Sequence, residues 1–251
     1  MKKMFPMMIE KPDAHIAGSG VAYWFFAYFF WPSLISLSVV SPVGLSHEAW
    51  VEIGYHLLNF LIVLFFFHTY LKEAFLTVQI STKQVLGTAA VCAAAIVVLK
   101  VAMWILFAAG RNELFAQMAL DSLLTTEADL LYFSTALIGD QPLWGTLCLV
   151  ILTPVTISCL YYASVFAPIC TKRPWLAYLL MAVLPVLPRL SLAFCLWPIE
   201  QEMAIYLVQL PVHMIACWSY QKTDTVWTPI LVHFMSNLVL AMLMLWVFGI
   251  M

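Results

Sequence analysis

Charge is what this chain has least of: 10% of its 251 residues are charged, while 64% are hydrophobic and mean hydropathy is +0.97. A soluble domain carries roughly 25% charged and 45–50% apolar residues. Too little charge is present to cover a water-facing surface, and no hydrophilic stretch is long enough to form a separate soluble domain. The sequence therefore reads as one membrane domain over residues 1–251. Its partners begin with the lipid bilayer, and nucleic acid is not expected among them.

Metal and disulfide signatures are also missing. The six cysteines (Cys92, Cys148, Cys159, Cys170, Cys195 and Cys217) fall within or at the ends of apolar stretches, and no CxxC occurs. A disulfide framework or a zinc site is not expected; a small buried hydrophobe is the simpler role. His56, His68 and His213 read as isolated interior or interfacial histidines without metal-ligand spacing. No cofactor is expected.

What remains is long apolar stretches. A membrane-crossing helix needs about 20 mainly apolar residues, and the candidates are Ile16–Val40, Ile53–Leu71, Val85–Ala109, Leu143–Cys170, Pro174–Trp197, Met203–Tyr220 and Val226–Gly249. The expected fold is all-α, a polytopic bundle of about seven spans. The first stretch is too long for a signal h-region and more spans follow it, so it reads as a helix rather than a cleaved leader. Between Gly110 and Pro142, apolar Leu114, Phe115, Met118, Leu123 and Leu124 alternate with Asp121 and Glu127, a pattern suited to a helix lying along the membrane surface.

Loop charge sets the expected orientation. With the N-terminus in the cytoplasm, Lys2, Lys3, Lys11, Lys72, Lys83, Lys172, Arg173 and Lys222 all fall inside, eight of the eleven basic residues. Arg111 alone falls outside, and Lys100 and Arg189 lie within spans. Nine acids fall outside (Glu48, Glu52, Glu113, Asp121, Glu127, Asp129, Asp140, Glu200 and Glu202), and Glu10, Asp13, Glu73 and Asp224 fall inside. Every loop obeys the alternation, giving an inner N-terminus and an outer C-terminus.

The richest stretch for chemistry is Gln221–Leu238, QKTDTVWTPILVHFMSNL. His233 and Asn237 are four apart and share a helix face. Polar groups this deep are costly and turn toward the bundle interior. By spacing alone they fit a helix–helix hydrogen bond as well as a functional pair.

The stretch Trp-Thr-Pro-Ile-Leu-x-His-Phe-x-x-Asn, after a short polar turn, resembles the last motif of the CAAX-protease and bacteriocin-processing family of intramembrane proteases. That family includes CAAX prenyl endopeptidases and proteins tied to bacteriocin self-immunity. Leu152–Phe166, LTPVTISCLYYASVF, resembles by position the surroundings of its first motif, a glutamate pair followed after three residues by arginine. Here Ile157 and Ser158 stand where the glutamates belong, and Tyr162 where the arginine belongs. The second motif, Phe-x-x-x-His, finds Phe194 but then Pro198, and no histidine occurs between Lys172 and Val212. The resemblance covers residues 143–251; the earlier spans match only as generic membrane helices.

In that family a glutamate is taken to activate water while histidines and asparagine orient the reactants and stabilise the oxyanion. The resemblance implies His233, Asn237 and Ser158 as remnants of the catalytic pocket. A general base needs a titratable acceptor within hydrogen-bond reach; Ile157 offers none, Ser158 would need a base of its own, and none of the spans contains an acid. At 1.5 Å per residue Ser158 lies ~18 Å from the inner end of its span and His233 ~10 Å from the cytoplasmic edge, so both reach the inner half. Lys100 and Arg189 lie ~22 Å from that edge by the same rise. They either snorkel toward the acidic outer loops or hold an anionic headgroup or peptide carboxylate. Pro185 and Pro188 are expected to kink the fifth span.

The expected function follows: a catalytically degenerate relative of this family that binds a peptide, a lipid or a membrane-protein partner in the cell membrane, the bacterial inner membrane by the resemblance. Immunity to a secreted peptide or support of a membrane enzyme would suit it. The alternative is an active intramembrane endopeptidase with unusual residues, and a transporter-like or lipid-binding protein using Lys100 and Arg189 is a third reading.

Overall fold

The computed structural model describes residues 12–27, 48–109, 141–185, 187 and 199–247. Helices α1 (Ala14–Phe25), α2 (Glu48–Ile80), α3 (Thr82–Ala109), α4 (Pro142–Cys170), α5 (Pro174–Val183), α6 (Ile199–Thr223) and α7 (Trp227–Val247) follow one another, with no strand among the described residues. Four of them, α2, α3, α4 and α7, are long and apolar enough to cross a membrane. The chain is a helical membrane protein. Its outward faces carry Phe65, Val91, Val98, Leu106 and Trp246 exposed, far more apolar surface than a soluble monomer tolerates.

The other three expected spans are described in part or are less apolar. Of Ile16–Val40, the helix is described only through Phe25, and the residues from 28 on lie outside the described ones. Of Pro174–Trp197, α5 runs to Val183 and meets a turn at Leu184 and Pro185, where proline lacks the N–H of a regular helical turn; Leu187 is helical again, and residues 188–198 lie outside the described ones. α6 is long enough at 25 residues but carries Gln209, His213 and Ser219 inward, and is less apolar than the four spans. The expected surface helix over 110–142, together with Pro188, Phe194 and Pro198, falls largely or wholly outside the described residues.

α4 is the central element, with 67% of its apolar window buried against 28–56% for the other three. It is not a uniform helix. α-Helical turns at Pro142–Leu147, Thr153–Ile157 and Ala167–Cys170 alternate with π-helical stretches at Cys148–Leu152 and Ser158–Phe166. The longer stretch shows its wide turn in a side chain as well: the Ser164 hydroxyl donates to the carbonyl of Cys159, five residues back, at 2.8 Å. π-Helical turns are uncommon and frequent at functional sites. Every residue from Ser158 to Phe166 is buried.

Side chains pin the other helices around α4. Trp227 Nε1 donates to the carbonyl of Leu71 (3.0 Å), Thr225 Oγ1 to that of Ala74 (3.3 Å) and Gln84 Nε2 to that of Lys222 (3.1 Å). The Tyr178 hydroxyl donates to Gln221 Oε1 at 2.8 Å. Lys83, Lys172, Arg173 and Lys222, at or beside breaks, thus lie toward one end of the bundle, whereas Lys72, expected in a loop, lies within α2, which runs on to Ile80. At the other end Ile53 packs on Cys148 and Leu152, and Leu149 and Val150 pack on Leu240, Ala241 and Met244. The turn between α6 and α7 is short because Asp224 adopts a left-handed conformation (φ 62°), which aspartate tolerates better than most residues.

α1 lies against the π-helical stretch of α4. Its approach depends on Gly20, where a Cβ would collide with the Ser164 hydroxyl and lie 2.8 Å from Phe67 Cζ. Small residues let membrane helices come this close. Trp24 of the same helix packs edge-on against Tyr161, centroids 5.7 Å apart.

Candidate functional site

Three buried aromatic rings meet at the middle of the bundle. The Tyr162 hydroxyl, from the π-helical stretch of α4, lies 3.0 Å from His233 Nε2 on α7 and 3.2 Å from His213 Nδ1 on α6. The rings of Tyr162 and His233 stack at 14°, centroids 5.8 Å apart. A tyrosine hydroxyl has one proton to give. If it donates to His233, His213 must present an N–H to the tyrosine oxygen, and in the reverse arrangement His233 must do so. The tautomers of the two histidines are coupled through Tyr162.

Asn237, one helical turn beyond His233, donates through Nδ2 to the carbonyl of Leu149 at 3.0 Å. His233 and Asn237 therefore both turn toward the fourth span, but they meet Tyr162 and Leu149, on either side of Ser158. Ser158 itself is fully buried and its Oγ makes no hydrogen bond. It does not pair with His233.

Next to His233 is a cavity of about 10 Å³, lined by Ile96, Lys100, Ile157, Gln209, Val212, His233, Ser236 and Asn237. That is room for about one water molecule or a monatomic ion of similar size. Five of the lining residues are polar and each is more than nine-tenths buried: Lys100, Gln209, His233, Ser236 and Asn237. Among the described residues no carboxylate lines it. Ile157, rather than Ser158, forms part of its wall.

The placement of Lys100 differs from the depth read off the sequence. Counting residues puts it far beyond His233, yet the two share this cavity. α3 begins further from the bundle's middle than α7 does, so Ala89, Cys92 and Ile96 pack at the level of Leu231, Val232 and Met235. Lys100 is buried. Arg189, the other intraspan cation, lies outside the described residues.

Two residues of the site escaped sequence reasoning. His213 reads in the sequence as an isolated histidine, and only the packing of α6 against α4 brings it to Tyr162. Tyr162 itself was marked by the absence of an arginine rather than by any property of tyrosine. His56 is also buried and lies 3.3 Å from Thr153 Oγ1 through Nδ1, while His68 is surface-exposed, within 3.0 Å of the Phe65 carbonyl. Among the described residues no three His, Cys, Asp or Glu side chains cluster as metal ligands, and the five described cysteines are buried thiols.

Comparison with family models, with curated proteins and with solved structures gives no match for this chain.

Proposed function

We propose that the chain is a multi-pass membrane protein that works by binding a peptide, lipid or membrane-protein partner and does not hydrolyse peptides. One observation carries this reading: the cavity beside His233 has no carboxylate among the described residues of its wall, and His233 Nε2 is engaged by Tyr162 while Ser158 Oγ touches neither. A general base must stand about 2.6–3.2 Å from the proton it takes. Among the described residues of this site no base stands within reach of a nucleophile. The closing-motif resemblance to CAAX-processing proteases then describes a shared plan without its chemistry, and the cavity is too small to admit a peptide side chain, so a partner engages the outer faces.

The same reading takes α1, α5 and α6 as parts of further spans, seven in all, in the bacterial inner membrane. The inner N-terminus follows from the basic breaks, which lie together at one end of the bundle. Cysteines introduced at Glu127 and Glu200 should react with an impermeant thiol reagent from outside. Protection of both, with labelling of Lys222→Cys, would invert the orientation.

The activity test expresses the chain with prenylated and leader-bearing peptides and follows cleavage by mass spectrometry. Losing a general base forfeits about 10²–10⁴ in rate, and losing groups that act together leaves little beyond binding. No specific cleavage is expected. Cleavage by the unmodified chain that disappears in His233→Ala would establish the endopeptidase alternative instead.

A further inference from the structure

We propose that the end of the bundle formed by the α2–α3 elbow, the α4–α5 break and the α6–α7 turn is a binding surface for anionic phospholipid. This names a lipid class for the binding reading above and does not depend on whether the chain cleaves peptides, so a failed lipid test leaves the cleavage result standing.

The length of α2 points there first. Its apolar stretch Ile53–Ile80 has 28 residues, which at 1.5 Å each make ~42 Å against a hydrocarbon core of ~30 Å. Ile53 packs at one end of the bundle. At the other, Thr225 in the α6–α7 turn donates to the Ala74 carbonyl. Residues 75–80 run past that turn to the elbow, where Ser81 alone separates α2 from α3. Apolar side chains stand bare there all the same: Phe75, Leu76 and Ile80 are exposed, Ile80 by 89%. Trp175, just after the α4–α5 break, is 67% exposed. Bare apolar groups at the end of a span settle in the boundary between acyl chains and headgroups, where tryptophan also concentrates.

Cations stand on the same breaks. Lys72, Lys83, Lys172, Arg173 and Lys222 are all exposed, and among the described residues none of their side chains has an ion-pair or hydrogen-bond partner. Gln84 Nε2, next to Lys83, donates to the Lys222 carbonyl at 3.1 Å, which joins the elbow to the end of α6. The described acids toward this end are fewer, Asp13, Glu73 and Asp224, and α3, α4 and α5 contain none. Each cation at a membrane surface favours anionic lipid by about fivefold. A phospholipid meets both features, its phosphate the cations and its acyl chains the bare apolar groups. A soluble acidic protein or free phosphate would satisfy the charge and leave Ile80 and Trp175 in water.

The test holds the full chain in detergent micelles with equal amounts of phosphatidylglycerol and phosphatidylcholine, then measures the retained lipid by mass spectrometry after gel filtration. Phosphatidylglycerol should be retained over phosphatidylcholine by more than about fivefold, and each of Lys83→Gln, Lys172→Gln, Arg173→Gln and Lys222→Gln should lower the preference by up to about fivefold. The four together should abolish it, while Lys83→Arg with Lys172→Arg and Lys222→Arg keeps it. If the fourfold variant does not fold, the unmodified chain decides: its preference should fade as salt rises from about 0.1 to 1 M, because the screening length shrinks from ~10 to ~3 Å. Equal retention of the two lipids would overturn the proposal, as would a preference that survives either the fourfold substitution or the high salt. Polyglutamate and inorganic phosphate at the same ionic strength should displace little lipid. Full displacement by either would overturn it too, giving the surface to an acidic protein or to free phosphate.

Discussion

Removing one oxygen atom from the middle of the bundle should cost more than a typical side-chain hydrogen bond. Tyr162→Phe leaves the ring in place but takes the hydroxyl from two buried acceptors or donors at once, His233 Nε2 at 3.0 Å and His213 Nδ1 at 3.2 Å. A buried polar atom left unsatisfied costs about 1–3 kcal/mol. The two sites will not contribute equally. His233 borders the cavity, where a water molecule can replace part of the lost bond. His213 is fully buried and away from that cavity, so it bears the larger share. The sum is a destabilisation of about 2–4 kcal/mol. Reversible unfolding in mixed micelles, by titration with a denaturing detergent, measures it. His213→Leu should then cost less in the Tyr162→Phe background than alone, with a coupling of about 1–2 kcal/mol. Tyr23→Phe is the comparison, since that hydroxyl serves Asn59 Oδ1 alone at 2.6 Å and is only partly buried; it should cost about 1 kcal/mol. A Tyr162→Phe chain as stable as the unmodified one, or additive effects with His213→Leu, would show that the hydroxyl does not join the two helices.

Gly20→Ala should destabilise the chain in the same assay, because crowding against Ser164 and Phe67 costs about 1–3 kcal/mol and outweighs the roughly 1 kcal/mol that alanine gains in a helix. Ser164→Gly in the same chain should recover part of the loss, and a Gly20→Ala protein of greater stability would refute the close approach. Asn237→Leu should still reach the membrane fraction but lose about 1 kcal/mol by leaving the Leu149 carbonyl unpaired; a gain in stability would count against that hydrogen bond.

The helical, membrane-embedded character was legible because it rests on composition and run length, which are one-dimensional. The spans at Val85–Ala109, Leu143–Cys170 and Val226–Gly249 were readable within a few residues, since bilayer thickness sets the length of an apolar helix, whereas the Ile53–Leu71 helix continues nine residues further, to Ile80. The inward turn of His233 and Asn237 was readable too, because their four-residue spacing fixes a shared face. The turn at Leu184 and Pro185 that interrupts the α5 stretch was legible only as the kink expected of Pro185.

Other features depend on three dimensions. The π-helical stretches of α4 have no signature in LTPVTISCLYYASVF; they appear where that helix takes contacts from α1, α2, α6 and α7, and widening its turn changes which side chains meet. The stagger of α3 against α7 puts Lys100 beside His233, which residue counting along separate helices cannot reveal. His213 reaches Tyr162 only when α6 packs on α4. The sequence by itself determined that polar groups would be buried in an apolar bundle, because transfer energies depend on residue type. Which of them share a hydrogen bond or a cavity was decided by helix packing, because such contacts act over about 3 Å between segments far apart in the chain.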